Sequence, residues 1–344
     1  MGFKRLEADD FVVSAQAQTS TCWTNNAPVL TTFFTRSGQV VAESGKYYTT
    51  VYNLEQGDAG SQAQFEIAYG NETGGGALAY NQPAVPNVSP ASTIYGQYRT
   101  LVLEDENGSF VFGGVTGSSI YAVSVERSAY KQSLFPGSLN VILTGPTNQQ
   151  VTLTDNSNMV TVPTFYGTMR AYEVISGSDG FSYNSGSGGT GYTEKSGSYG
   201  LFLPDIGTIL LNGDALDLSG ADGGISLGTN QDLNSISDPT NPVKLLNSFK
   251  TGSSFGLNSE ETITSDFVFI RARNSEFNYS ENPSYISGST GEVIYNYFIN
   301  NPQTYMTSIG LYNDSNELLA VAKLSKPLNK DFTKEALVRV KLDF

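Results

Sequence analysis

Short runs in which apolar and polar residues alternate recur along the whole chain, and they constrain its fold more than any other feature. "AQFEIAYG" places Phe65, Ile67 and Tyr69 on one face and Gln64 and Glu66 on the other. "IYAVSVER" groups Tyr121, Val123 and Val125, and "LNVIL" groups Leu139, Val141 and Leu143. "ALVRVKLDF" sets Val338, Val340, Leu342 and Phe344 against Arg339, Lys341 and Asp343. A period of two is the repeat of a strand with one covered face. "DFVFIRAR" has Phe267 and Phe269 opposite Val268 and Ile270, the pattern of a strand covered on both faces. Gly, Asn and Asp separate the runs at short spacing. The chain therefore reads as mainly β, with two or three antiparallel β-sandwich or barrel-like domains rather than a doubly wound sheet.

Two short helices interrupt this pattern. In "SPASTIYGQYRTLVLEDENG", Ser89 is a candidate N-cap and Pro90 opens the first turn. Ile94, Tyr98, Leu101 and Val102 then form a stripe, which predicts a helix near 90–103. The acidic run Glu104–Glu106 opposes the dipole at its C-terminal end. In "NPVKLLNSFKTG", Pro242 lies near the start, Val243, Leu246 and Phe249 recur every third residue, and Gly252 offers a stop.

Shifts in composition suggest three domains: an N-terminal β domain over 1–145, a middle one over 146–250 and a C-terminal one over 251–344. "TGPTNQQ" (144–150) reads as the first link, and "SFKTGSSFGLNSEE" (248–261) leads into the last domain. The middle domain carries a Gly/Ser/Tyr-rich loop over 176–200, too polar for a core of its own. The C-terminal domain carries a hairpin over 304–327, "TYMTSIGLYNDSNELLAVAKLSKP". No strict internal repeat is present.

Composition excludes several functions. The net charge of −14, with Lys and Arg scattered, argues against nucleic acid as a partner. No apolar run is long enough for a membrane-spanning helix, and acidic residues interrupt "MGFKRLEADDFVV" before any signal-like apolar core. The lone cysteine, Cys22, rules out an intrachain disulfide and reads as a small buried apolar residue.

Motifs that resemble chemistry are weak. "GSSFG" (252–256) has the spacing of a nucleophile elbow around Ser254, but the chain contains no histidine to act as base. "GSGGTG" (186–191) matches a dinucleotide fingerprint by spacing, without the strand and helix that would have to flank it. "EDENGS" (104–109) and "NGDALDLSGADGG" (212–224) carry hard oxygen ligands but not the full calcium-loop pattern, and turn-forming Asp and Asn account for both. With one Cys and no His, zinc has no ligand set. No pair among the 33 acidic residues stands out for glycoside hydrolysis. Tyr47, Tyr48 and Tyr52 have the residue type for sugar stacking, although strand tyrosines also pack across to neighbours. The expectation is no catalytic residue, no cofactor and no metal. What remains is assembly chemistry: low charge, aromatic faces and alternating strands suited to subunit contacts.

Several stretches carry a resemblance. They are "FKRLEADDFVVSA", "LTTFFT" followed by "YYTTVYN", "IYGQYRTLVLEDENGSFVFG" running into "YAVSVERSAYKQSLFPGSLNVIL", and the segment from "FNYSENPSYI" to the last residue. In these the chain resembles structural proteins of tailed bacteriophages, of the T-even-like cyanophage type. The last segment is similar to the baseplate-attachment domain of tail fibres, where an "IGLYD…LIAVA" hairpin occurs. Ile309, Gly310, Leu311 and Tyr312 match its first arm, and Leu318, Leu319, Ala320, Val321 and Ala322 its second. No repetitive shaft follows the hairpin. The resemblance implies a non-enzymatic virion subunit, assembled in the host cytoplasm, from the tail baseplate or a fibre adaptor. Its partners would be other virion proteins and further copies in a ring or symmetric assembly, with no nucleic acid and no membrane. A neck or head-surface protein is the first alternative. A carbohydrate-binding module that stacks host glycans on exposed tyrosines and Trp23 is the second.

Overall fold

A computed structural model describes residues 3–36, 48–77, 88–182, 198–233 and 240–343. It is mainly β, with large antiparallel sheets. The chain forms two compact units: a large one over 18–261, and a small one combining 1–17 with 262–344. The division differs from the three domains expected. Residues 1–17 group with the C-terminal segment, and "TGPTNQQ" is a hairpin turn rather than a link. In that turn Gln150 pairs with Thr144, and the Gly145 N–H donates to the Gln149 carbonyl at 2.8 Å. Composition cannot separate a tight Gly-Pro turn from a linker, because both use the same residues.

In chain order the large unit contains the end of β1 (Phe11–Thr21), β2 (Val29–Leu30), β3 (Tyr48–Tyr52), β4 (Ala63–Asn71), α1 (Pro90–Leu103), β5 (Phe110–Phe112), β6 (Val115–Gly117) and β7 (Ser119–Val125). It continues through β8 (Ser133–Leu134), β9 (Asn140–Thr144), β10 (Gln150–Asp155), β11 (Thr164–Tyr166), β12 (Met169–Ser178), β13 (Phe181–Ser182), β14 (Gly200–Leu203) and β15 (Thr208–Asn212). It ends with α2 (Gly213–Asp217), α3 (Asn241–Gly252), β16 (Ser254–Gly256) and the first residues of β17 (Asn258–Ala272). One curled sheet runs β2-β16-β9-β10-β12-β14-β15-β7-β4-β3. Its two edges meet through one short segment. Val29–Leu30 pairs with β16 at one end, and four residues on Phe34 exchanges backbone hydrogen bonds of 2.9 and 2.7 Å with Tyr52 at the other.

Alternation along the strands gives the sheet two apolar faces. Phe65, Ile67, Tyr69, Tyr121, Val123 and Val125 point into one core, with Leu139, Val141 and Leu143, as the period-two reading expects. The other face carries Ile120, Ala122, Leu201, Leu203 and Leu210. Helix α3 lies in the first core through Leu245, Leu246 and Phe249, while α1 covers the second face with Tyr95 and Val102. Gln64, expected on a polar face, is buried and bonded to Thr24.

Both helices span the expected residues, with local differences. The Ser89 hydroxyl accepts from the Ser92 N–H, and the Ser92 hydroxyl accepts from the Ser89 N–H, a reciprocal cap. The buried stripe is Ala91, Tyr95 and Val102; Leu101 is exposed. The acidic run lies beyond the last turn, because Glu104 adopts a left-handed φ of 55° and ends the helix. In α3 the left-handed stop is Ser253 (φ 53°), not Gly252. Gly252 serves close packing instead: a Cβ there would lie 1.9 Å from the Ile142 carbonyl oxygen.

The small unit contains the first residues of β1, the remainder of β17, α4 (Asn296–Asn300), β18 (Thr304–Tyr312), β19 (Leu318–Lys330) and β20 (Ala336–Asp343). Strand β17 is flanked by β1 and β20, in register from Ser265↔Asp343 to Ala272↔Ala336. Strands β18 and β19 form a two-stranded ribbon of their own. The alternation of β20 holds: Ala336 and Val340 are buried while Leu337, Arg339 and Lys341 are exposed. Strand β17 is less covered than expected. Of Phe267, Val268, Phe269 and Ile270 only Val268 is buried. Phe344 and the "GSGGTG" stretch lie outside the described residues, as does most of the 176–200 loop (183–197).

Candidate interaction surface

The two units differ sharply in burial. Among the described residues, 45 buried apolar side chains belong to the large unit and five to the small one: Val268, Ala272, Phe298, Ala336 and Val340. The exposed large apolar side chains reverse this, with 18 of 29 in the small unit. Strand β1 is exposed from Phe11 to Ser20. Apolar surface gathered in this way on one small unit marks a contact surface, whereas scattered exposed residues would not.

The ribbon supplies one part of this surface, with register shifts between Met306 and Ser308 and between Leu311 and Tyr312. Its pairs are Ile309↔Ala322 and Leu311↔Ala320 on one face, and Ser308↔Lys323 and Gly310↔Val321 on the other. The connecting turn follows from Asn chemistry. The Asn313 side-chain oxygen accepts from the Glu317 N–H at 2.8 Å, and Asn316 takes a left-handed φ of 60°. The Tyr312 ring and Leu318 lie over Gly310, where a Cβ would meet the ring at 2.8 Å. Phe3 stacks edge-on against Tyr312 at 5.2 Å. Leu319 is 67% and Val321 63% exposed on the face of Gly310, whereas Ile309, Leu311, Ala320 and Ala322 on the other face are half-buried.

Polar clasps hold the small unit in place of a large core. Lys330 is fully buried, and its ammonium donates to the Asn274 carbonyl (2.9 Å), Asn278 Oδ1 (2.8 Å) and the Asp331 carbonyl (2.9 Å). Lys4 bonds Glu276 and the Arg271 carbonyl, and Arg271 pairs with Glu335 at 2.7 Å. Four carboxylates in the unit titrate below their ordinary range. Thr333 and Lys334 hold Asp331 down to about 2. The Arg273 N–H and Lys4 lower Glu276, Arg271 lowers Glu335, and Ser265 with Lys341 lowers Asp343. A carboxylate whose folded value is depressed stabilises the fold above its unfolded value and ceases to do so as pH falls through its folded value. The small unit should therefore lose stability between about pH 4.5 and 2. The large unit has an opposing group: burial raises Asp217, so its protonation favours that fold. Thermal melts at pH 7, 4, 3 and 2, followed by circular dichroism and by fluorescence of Trp23, should show a circular-dichroism loss before the Trp23 signal moves. Coincident loss at every pH would contradict this.

The motifs that resembled chemistry sit elsewhere. Ser254 opens β16, a strand residue paired with Ile142, not an elbow between strand and helix. Asp214 accepts from the Ser118 N–H (2.7 Å), the hydroxyls of Ser118 and Ser119, and Gln231. Asp217 accepts from the Thr229 N–H at 2.8 Å. These carboxylates fasten the 228–232 segment, where Tyr121 also bonds the Thr229 hydroxyl. Asp105 caps the turn at Asn107, and Asp222 bonds Ser219. Among the described residues no group of three metal-ligating side chains forms. Trp23, expected as an exposed stacking residue, is instead buried against Phe255 at 4.8 Å. Cys22 is buried as expected, and burial pushes its thiol up to about 12. Tyr48 is exposed, Tyr52 is half-buried under Arg36 at 4.9 Å, and Tyr47 lies outside the described residues. Phe34, Arg36, Tyr52 and Asp58 line a cavity of about 200 Å³, below the usual size of a ligand site. No described helix is long and apolar enough to cross a membrane.

Sequence reasoning singled out the hairpin but missed two parts of the surface. These are β1, whose "FVVSAQAQTST" alternates weakly, and the aromatic segment of Tyr279, Tyr295 and Tyr297, which has no strand or helix period. Comparison of the chain with protein-family models, with curated proteins and with solved structures returns no match.

Proposed function

We propose that the chain is a non-enzymatic structural subunit of a tailed-phage virion, placed in the tail baseplate or a fibre adaptor, and that it assembles through its small unit. One observation carries the assembly role: the small unit leaves most of its large apolar side chains in water while the large unit buries its own. A folded unit with so little internal core gains its stability from what covers it. The particle assignment rests on the similarity of the ribbon, Ile309–Tyr312 with Leu318–Ala322, to fibre attachment hairpins. The position is read by immunogold labelling of intact particles with antibody against the recombinant chain. Label at the tail end is expected. Label at the neck or head would overturn the baseplate position and leave a virion subunit. Absence of label from intact and disrupted particles alike would overturn the virion reading.

A second reading, binding of host carbohydrate, is favoured by the exposed rings of Tyr279, Tyr295 and Tyr297. Tyr295 and Tyr297 lie 5.3 Å apart, a spacing on which sugar faces can stack. Measurable glycan binding by the isolated chain, lost on replacing Tyr297 with Ala, would favour it.

A further inference from the structure

We propose that the β18–β19 ribbon is a self-association surface, on which the ribbon of a second copy of this chain lies antiparallel about a two-fold axis. The inference rests on the assembly role proposed above and names the partner of that surface. Three features fit a second copy. A two-stranded ribbon is marginally stable alone in water, so one this long needs a cover. The face bearing Gly310, Tyr312, Leu318, Leu319 and Val321 is apolar and exposed, and the bare Cα of Gly310 lets the Tyr312 ring and Leu318 lie flat over the strand. Above all, charge is segregated along the ribbon. Asp314 and Glu317 lie at the turn, whereas Lys323 and Lys326 lie toward the base.

Lys323 pairs with Ser308, six residues from Asp314, or roughly 20 Å along the strand. A two-fold axis midway, near Leu311 and Ala320, brings the acidic tip of each ribbon over the basic base of the other. Parallel stacking in register would instead set tip on tip and base on base. Asp314, Lys323 and Lys326 form no ion pair among the described residues, so these charges are uncommitted within the chain. An isologous contact uses each complementary pair twice, which doubles the effect of any charge change.

The test is sedimentation equilibrium of the full chain at low salt. The wild type should be a dimer at micromolar concentration. Lys323→Glu with Lys326→Glu in one variant, and Asp314→Lys with Glu317→Lys in another, should each raise the dissociation constant at least tenfold. Mixing the two variants should restore a dimer of near wild-type affinity, because every cross-ribbon pair is again opposite in sign. These residues are exposed, and unchanged circular dichroism shows that each variant is folded. A wild type that stays monomeric at 100 µM, variants that dimerise as the wild type does, or a mixture that fails to restore association would each overturn the proposal. Particle labelling is independent of this result. A monomeric chain found in the tail would sink the two-fold contact alone, and a dimeric chain absent from particles would sink the virion role alone.

Discussion

Replacing Phe65 with Ala should cost the large unit about 3–5 kcal/mol. The ring lies at the centre of an aromatic cluster, 5.3 Å from both Phe249 and Phe255, 6.2 Å from Phe33 and 6.3 Å from Trp23. These five rings come from β4, α3, β16 and the segments flanking β2, so the cavity would open where the sheet, its inner helix and its closing segment meet. Such a site collapses poorly, because every wall is fixed by a different element. Trp23 is the sole tryptophan and belongs to this cluster, so its fluorescence reports the large unit directly. A denaturant midpoint shifted by less than about 1 kcal/mol equivalent would show that the cluster is not the keystone described here.

The second large effect is expected at Lys330→Met. Methionine fills a similar volume, but it leaves the Asn274 carbonyl, Asn278 Oδ1 and the Asp331 carbonyl without their donor. Each unsatisfied buried acceptor costs about 1–3 kcal/mol. The small unit has little reserve against such a loss, with five buried apolar side chains among its described residues. Limited proteolysis should then cleave readily within 262–343 while the Trp23 transition stays where it was. Resistance equal to wild type would mean that the ammonium is dispensable.

Legibility from sequence followed the range of the interactions. The helices were readable because caps and proline are local: Ser89, Pro90 and Pro242 announce them within a turn. The inward faces of β4, β7 and β9 were readable because a covered strand shows its cover every second residue. Non-local pairing was not. Nothing in "FVVSAQAQTS" announces that it flanks a strand some 250 residues away, and nothing in "TGPTNQQ" distinguishes a turn inside one sheet from a break between two domains. The exposed surface was half legible. The hairpin stood out by its alternation, but only burial shows that its apolar residues have no core to enter. Trp23 misled for the same reason: residue type alone does not tell a stacking platform from a core anchor.

The edge-closing segment around β2 has a consequence for how the protein is made. Val29–Leu30 is synthesised more than two hundred residues before its partner β16, Ser254–Gly256. The sheet of the large unit cannot close until more than two hundred further residues have left the ribosome, and β1 likewise waits for its partner β17. Folding dominated by such distant pairs is slow, since loop closure must precede any reward from contact. The nascent chain thus carries its open sheet edge, and the apolar strands behind it, through the synthesis of everything between β2 and β16.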